Sequence, residues 1–134
     1  MRIKLISIAL VAMLLCQSCA HTSSGEKKVA IIIPLEHRAM TEIVSGFKHE
    51  LAQRYHGKVD LIVKNAEHDP LLEQAIIEQL KSQGISIIEP IGTDAYEMAL
   101  ARTKRAKIIG IAADLTAKQR KQYGENRTTA VIDE

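Results

Sequence analysis

The feature that most restricts the fold of this chain is an unbroken apolar run, VAIII, at residues 29–33. A strand with one face in water alternates apolar and polar residues, whereas a strand buried on both faces is apolar throughout. The run therefore predicts a central strand of a parallel sheet with both of its faces covered.

Helix-like and strand-like segments alternate after this run. Apolar residues recur at helical spacing from Met40 to Tyr55, and Gly57 interrupts the pattern. Asp69 followed by Pro70 is typical of a helix start, and Gly84 ends the second helix. The other apolar runs predict strands at 59–63, 85–88, 108–113 and 129–132.

Two further helix starts follow from capping-box spacing, in which an acceptor side chain precedes Glu or Gln by three residues. The third helix is predicted to begin near Thr93 or Asp94, with Glu97 completing the box. Thr116 with Gln119 predicts a short fourth helix. The order β-α-β-α-β-α-β-α-β, with right-handed crossovers, predicts an α/β fold: a doubly wound, flavodoxin-like, five-stranded parallel sheet with helices on both faces.

The N-terminal segment has the pattern of an export signal. Arg2 and Lys4 precede an apolar stretch at 5–15, and Ser18-Cys19 follows. This resembles a bacterial lipoprotein signal, so we predict a signal peptide at 1–18, lipid attachment (palmitate) at Cys19 and a polar tether at 19–27. Plain cleavage with release and a retained N-terminal anchor are the alternatives.

Charge and cysteine content exclude some classes of function. Removing Arg2 and Lys4 with the signal lowers Lys+Arg from 18 to 16, which equals the 16 Asp+Glu. A balanced domain with 3% aromatic residues and no Trp lacks the features of a nucleic-acid-binding protein. With Cys16 removed and Cys19 acylated, no thiol is left for catalysis or metal binding.

Ligands of doubly wound sheets bind outside the carboxyl ends of the strands, so the turns there are the candidate site. Those turns contain no Gly-rich dinucleotide or P-loop fingerprint. Thr93 at a helix N-terminus could hold a carboxylate or phosphate, or could simply cap its helix. The turns are 35–37, 65–68, 91–94 and 112–114.

Chemical alternatives at this edge of the sheet are weaker. Glu67 and Asp114 could form an acid–base pair, but no nucleophile is placed near them. A nitrogen and oxygen metal site could be formed by His37, His68, Asp94 and Asp114, although their spacing matches no metal signature. We expect no catalysis, no metal and no cofactor. The cations at 102–107 complement a helix C-terminus, or form a phosphate or lipid patch.

Four stretches together resemble the first lobe of ABC transporter substrate-binding proteins of the tryptophan/tyrosine type, which have the type I periplasmic binding-protein fold. They are VAIIIPLEHRAMTEIVSGFKHEL at 29–51, KNAEHDPLLEQAIIEQL at 64–80, IGTDAYEMA at 91–99 and residues 108–114. The resemblance implies capture of a small, amino-acid-like solute for an ABC permease. The ligand contacts that it implies are Glu36, His37, Ala66, Glu67, Gly92, Thr93, Asp94, Ala113 and Asp114.

The sequence also departs from the pattern of that family. Glu67 replaces the usual Gln, and Asp94 replaces a neutral residue, so both add negative charge to the implied site. Residues 126–133 resemble the point at which the family's first lobe ends, so we expect one lobe at 28–134, with the second lobe absent. Truncation, a single lobe that binds a partner or forms a homodimer, and weak solute binding are the competing explanations.

Two functional hypotheses follow from these observations. The first is a solute-binding lipoprotein of an ABC import system, exported and lipid-anchored on the periplasmic face of the cell envelope. The alternative is an interaction or structural lipoprotein that keeps the scaffold without transport. Ala20, rather than Asp, after the lipid-bearing Cys19 favours the outer membrane where a cell has one.

Overall fold

The computed structural model of the chain describes residues 27–124 and 128–131. The predicted signal peptide, Cys19 and the tether as far as residue 26 lie outside the described residues. Within the described part, no helix is both long and apolar enough to cross a bilayer. The elements are β1 (Lys27–Ile33), α1 (Arg38–Tyr55), β2 (Val59–Asn65), α2 (Pro70–Ser82), β3 (Ile87–Pro90), α3 (Thr93–Arg102), β4 (Lys107–Ile111), α4 (Ala117–Tyr123) and β5 (Thr128–Val131).

The five strands form one parallel sheet in the order β2-β1-β3-β4-β5. The predicted α/β class and doubly wound parallel sheet are therefore confirmed. Strand boundaries differ by a few residues from the prediction, since β3 begins at Ile87 rather than Ile85 and β4 ends at Ile111 rather than Ala113. Lys27, predicted as the last residue of the tether, is already the first residue of β1.

The two faces of β1 pack into two different apolar clusters, which explains its uninterrupted apolar sequence. Ala30 and Ile32 belong to the larger cluster, with residues of α2 and α3. Ile31 and Ile33 belong to the smaller cluster, on the face against which α1 packs. Leu115 and Tyr123 extend the larger cluster towards α4. Among the helices of the described residues, one therefore covers one face of the sheet, and three lie on the other.

Side-chain caps explain two of the helix starts that the sequence predicts. Asp69 Oδ1 accepts from the N–H groups of Leu71 (2.8 Å) and Leu72 (3.3 Å) at the start of α2. The capping box of Thr116 and Gln119 forms at the start of α4. The box predicted for Asp94 and Glu97 does not form, because Gly92 is the N-cap of α3 and no side chain caps that helix.

A carboxyl group is buried in the sheet at Glu89 of β3, which is 6% exposed. Glu89 is the register partner of Ile31, so its side chain lies on the same face as the smaller apolar cluster. Burial among apolar groups disfavours the charged form and raises the pKa of Glu89 to about 7. A carboxyl that titrates near neutral pH is therefore built into the fold.

Candidate functional site

The strand order places a crevice between β1 and β3. The connection after β1 leads to β2 on one side, whereas the connections after β3 lead to β4 and β5 on the other side. The chain thus leaves these adjacent strands in opposite directions, which separates the turns at their carboxyl ends. In open parallel sheets such a switch point is where ligands bind.

A cavity of about 620 Å³ lies at this point. Its volume is within the range of small-molecule sites. Four predicted ligand residues are among those lining it: Ala66, Gly92, Thr93 and Asp94. The remaining lining residues are Pro34, His68, Pro70, Glu73, Ile91 and Met98.

The turn after β2 is fixed by backbone hydrogen bonds to the end of β1. Ala66 N–H donates to the carbonyl of Ile33 (2.9 Å), and His68 N–H donates to the carbonyl of Pro34 (2.7 Å). Glu67 has a positive φ of 51°, and its N–H donates to Asn65 Oδ1 at 2.9 Å. Ala66 and His68 consequently line the cavity, while the side chain of Glu67 is exposed and outside the lining.

The turn after β3 needs glycine. Gly92 has a φ of 98°, which L side chains rarely adopt, and its N–H donates to the carbonyl of Ile111 at 2.9 Å. Because Gly92 has no side chain to cap α3, the first amides of that helix are open to an acceptor from outside the helix. A helix N-terminus of this kind attracts a carboxylate or phosphate group.

Thr93 does not cap α3, although capping was one of the two roles considered for it. Its Oγ1 instead accepts a hydrogen bond from the N–H of Asp114 at 3.2 Å, which joins the turn after β3 to the turn after β4. A hydroxyl that accepts one hydrogen bond still has its own hydrogen to donate. Thr93 can therefore donate to an oxygen placed in the cavity.

Two carboxylates give the cavity an acidic character. Oε1 of Glu73 is buried and has no hydrogen-bond partner among the described residues. Burial raises the pKa of Glu73, and the nearby charge of Asp94 raises it further. No Lys or Arg is among the described residues that line the cavity. A cationic group placed between these two carboxylates would relieve both effects.

The other predicted contact residues lie around the cavity rather than in its lining. Glu36 and His37 are exposed, and His37 Nδ1 caps α1 by accepting from Ala39 N–H at 3.3 Å. Asp114 is exposed and pairs with Arg120 at 3.5 Å. Ala113 is 2% exposed and packs in the larger apolar cluster, so its side chain faces away from solvent.

The chemical alternatives do not fit this arrangement. Glu67 follows β2 and Asp114 follows β4, and three strand spacings separate those strands, which amounts to roughly 14 Å. That distance is too long for a cooperating pair of carboxyl groups. Across the described residues, no group of three or more His, Cys, Asp or Glu side chains is arranged to hold a metal ion.

Glu73 is a charged residue of the cavity lining that was not predicted from the sequence. The signal was available, because Glu73 lies four residues after the N-cap Asp69 and so in the first turn of α2, at the carboxyl edge of the sheet. Met98 was also missed as a lining residue, since its apolar side chain looks like an ordinary core residue in the sequence, whereas Ile91 belongs to the predicted turn 91–94.

Comparison with known proteins decides the family. The sequence pattern of the family described as ABC transporter substrate binding protein matches residues 28–131. The chain belongs to this family. An uncharacterised protein of Rickettsia prowazekii is 40% identical over 92 residues, which cover 69% of this chain and 29% of that protein.

Solved structures of substrate-binding proteins share the fold. One is the ligand-free, open structure of a substrate-binding protein with adhesive properties from Clostridium difficile. It has a TM-score of 0.60 and 26% identity, and the match covers 69% of this chain and 32% of that one. Another is an ABC domain in complex with L-Trp from Streptococcus pneumonia. It has a TM-score of 0.58 and 22% identity, and the match covers 63% and 30% of the two chains.

This member of the ABC substrate-binding family spans about a third of the length of the relatives that it matches. The matching family and the substrate-binding protein from Clostridium difficile are solute-binding proteins rather than enzymes, which agrees with the prediction that the chain is not an enzyme. The resemblance to ABC transporter substrate-binding proteins is confirmed. The tryptophan/tyrosine type and the lipid anchor stay predictions.

Proposed function

We propose that this domain captures a small, amino-acid-like solute at the carboxyl edge of its sheet and serves an ABC importer. The observation that carries the proposal is the pairing of two complementary features in one cavity. The uncapped N-terminus of α3 suits an anionic group, and Glu73, whose Oε1 has no partner among the described residues, lies beside Asp94 and suits a cationic one.

The carboxylate end of the solute is assigned to α3. The first amides of the helix and the hydroxyl of Thr93 supply donors for its oxygens, and the helix dipole adds a favourable field. The L-Trp bound by the structural relative from Streptococcus pneumonia is a solute of this chemistry.

The ammonium end of the solute is assigned to Glu73 and Asp94. The extra negative charge at Asp94, a departure from the usual family pattern, then has a function, because it balances a cation rather than repelling the carboxylate. Glu36, His37, Glu67 and Asp114 are exposed around the cavity and are proposed to contact the solute from its rim. Ala113 contributes through its backbone only, since its side chain is in the core.

The partners and location follow from the family and from the signal sequence. Family members are typically extracytoplasmic, and an ABC permease is the expected recipient of the solute. Lipid attachment at Cys19 would hold the domain at the cell envelope. An interaction protein without transport activity is not favoured by the match to substrate-binding proteins.

The test compares the contributions of the carboxylate end and the ammonium end of the solute to binding. Thermal unfolding and calorimetric titration of the chain would be run with L-amino acids, with simple alkylamines and with simple carboxylates. We expect L-amino acids to raise the unfolding temperature more than either half-molecule, because they use both ends of the cavity. A cooperative unfolding transition that none of these compounds shifts would contradict the proposal.

A further inference from the structure

A second cavity, of about 660 Å³, lies at the opposite edge of the sheet. The loop 103–106, which leads from α3 to the first residue of β4, forms one side, and the end of α2 with Gly84–Ser86 forms the other. Among the described residues that line it, none is a carboxylate and four are cations: Lys81, Arg102, Lys104 and Arg105. Its buried floor includes the apolar side chains of Ile85 and Ala106.

Three of these cations lack an acidic partner. Lys81 Nζ lies 2.5 Å from Glu78 Oε2 and is neutralised by it. In the part of the chain that the structure describes, no carboxylate oxygen lies within 4.0 Å of Arg102, Lys104 or Arg105. The carboxyl-terminal ends of α2 and α3 contribute only about half a negative charge each. The net charge around the cavity is therefore strongly positive.

Complementing helix dipoles does not account for the whole cluster. Lys81 and Arg102 lie in the last turns of α2 and α3, where cations are stabilising. Lys104 and Arg105 come after the end of α3, and the dipole effect falls off within the last turn of a helix. Placing two more unpaired cations around one cavity costs repulsion that an anion would remove.

We propose that this cavity binds a phosphate-bearing anion. Arg guanidinium groups match the oxygens of a phosphate with two parallel hydrogen bonds, and Lys adds a compact charge. The apolar floor suits a small carbon group next to the phosphate, such as glycerol. The site is separate from the solute cavity, because the two lie at opposite edges of the parallel sheet.

Two sources supply that chemistry: a soluble phosphate ester and the headgroup of an anionic phospholipid. Strand β1 begins with Lys27 and Lys28, at the same edge of the sheet as the cavity. A lipid anchor ahead of Lys27 would therefore bring the basic edge towards the bilayer. For this reason the experiment includes an anionic phospholipid headgroup as one of its two probes.

The test compares two double variants of the full chain that remove the same charge. K104Q/R105Q changes the cavity, whereas R38Q/K48Q changes exposed cations on α1, on the other face of the sheet. Glycerol 1-phosphate binding would be measured by calorimetry. Vesicle binding would be measured with phosphatidylglycerol in phosphatidylcholine, and binding to phosphatidylcholine alone would be subtracted. Far-UV circular dichroism would verify that both variants are folded.

We expect K104Q/R105Q to lose at least tenfold in affinity for the phosphate-bearing probe, and R38Q/K48Q to stay within twofold of the unsubstituted chain. Binding of glycerol 1-phosphate identifies a soluble ester as sufficient, whereas binding to phosphatidylglycerol vesicles alone identifies the lipid headgroup. Absence of binding to both probes would overturn the proposal, as would equal losses in the two double variants.

Discussion

The hydroxyl oxygen of Thr93 accepts a hydrogen bond from the backbone N–H of Asp114 at 3.2 Å. The two residues are 21 positions apart in the sequence, and each follows a different strand of the sheet. The contact joins the turns after β3 and β4 at the edge where the solute cavity lies. A side chain held in this way presents its remaining hydrogen in a defined direction.

Replacing Thr93 with Ala is expected to weaken solute binding at least tenfold, which corresponds to about 1.4 kcal/mol. The variant loses a donor to the solute and the contact that fixes the two turns. The free energy of unfolding should fall by only about 1 kcal/mol, the usual net value of one hydrogen bond. Calorimetric titration and denaturant unfolding measure the two effects.

Thr116→Ala is the matched control for Thr93→Ala. It also removes a threonine hydroxyl that accepts a backbone N–H, but at the start of α4 and away from the lining of the solute cavity. It should lower stability by about 1 kcal/mol through the lost cap and leave solute affinity unchanged. Equal losses of affinity in the two variants would refute the role given to Thr93.

Replacing Glu73 with Gln is expected to weaken binding of ammonium-bearing solutes. It should also slightly stabilise the empty domain at pH values at which the folded domain would otherwise carry an ionised Glu73 carboxyl. The change removes a carboxyl whose buried Oε1 has no partner in the described part of the chain and whose pKa is raised by burial and by Asp94. Glu78→Gln, on the same helix but paired with Lys81 outside this cavity, should leave affinity unchanged. Titrations with an L-amino acid at fixed pH compare the two variants.

Glu89 predicts a pH dependence of stability. Its pKa is raised to about 7 in the folded chain from 4.5, so the folded state binds the proton more tightly than the unfolded state. The stabilising contribution of the proton is full below about pH 4.5 and is lost as the pH rises to about 7. Each pKa unit corresponds to about 1.4 kcal/mol, so the loss is about 3.5 kcal/mol at most.

The measurement for Glu89 is the free energy of unfolding between pH 4.5 and pH 8. In Glu89→Gln the decline across this interval should become shallower, because the titrating group is gone. Glu50→Gln, an exposed member of the Arg54 pair on α1, should keep the decline. An unchanged pH profile in Glu89→Gln would show that another group causes the dependence.

Gly110→Ala is expected to destabilise the fold by about 1–3 kcal/mol through overpacking. A Cβ at Gly110 would lie 2.9 Å from the ring atoms Cδ1 and Cγ of Tyr96 and 3.0 Å from Ala113 Cβ. Tyr96 is 1% exposed, so moving its ring away from the added Cβ would disturb the core packed around it.

Gly46→Ala is expected to change stability in the opposite direction to Gly110→Ala. Gly46 lies in α1, and a Cβ there would meet no atom within 4 Å. The substitution should stabilise the domain by about 0.5–1 kcal/mol, the usual gain for Ala over Gly in a helix. Thermal unfolding of the two variants should therefore shift in opposite directions, and shifts of the same sign would contradict the packing described for Gly110.

Local signals in the sequence were sufficient for most of the fold. The apolar run at the centre of β1, the Asp69-Pro70 start of α2 and the Thr116–Gln119 box each depend on neighbours within a few residues, so they can be recognised without tertiary information. The start of α3 at Thr93 was also predicted correctly, but the capping box of Asp94 and Glu97 does not form. The role of Thr93 was not predictable from its neighbours, because its hydroxyl accepts a hydrogen bond from Asp114, which is distant in sequence.

The candidate site was predictable only in part. A turn at the carboxyl edge can be located from strand order, which is why Ala66, Gly92, Thr93 and Asp94 were found among the lining residues. Whether a side chain lines the cavity depends on tertiary packing. Glu73 is partly buried and lines the cavity, whereas Glu67 is exposed and does not.

Helix α1, the one helix of the described residues that packs on its face of the sheet, affects the order in which parts of the domain unfold locally. No residue of α1 is buried, whereas α2 and α3 each contain residues of the main core. Local unfolding requires least free energy where the fewest apolar contacts are broken. The backbone amides of α1 should therefore exchange with solvent sooner than those of α2 and α3. The helix on one face of the sheet is thus expected to unfold locally more often than α2 and α3 on the opposite face.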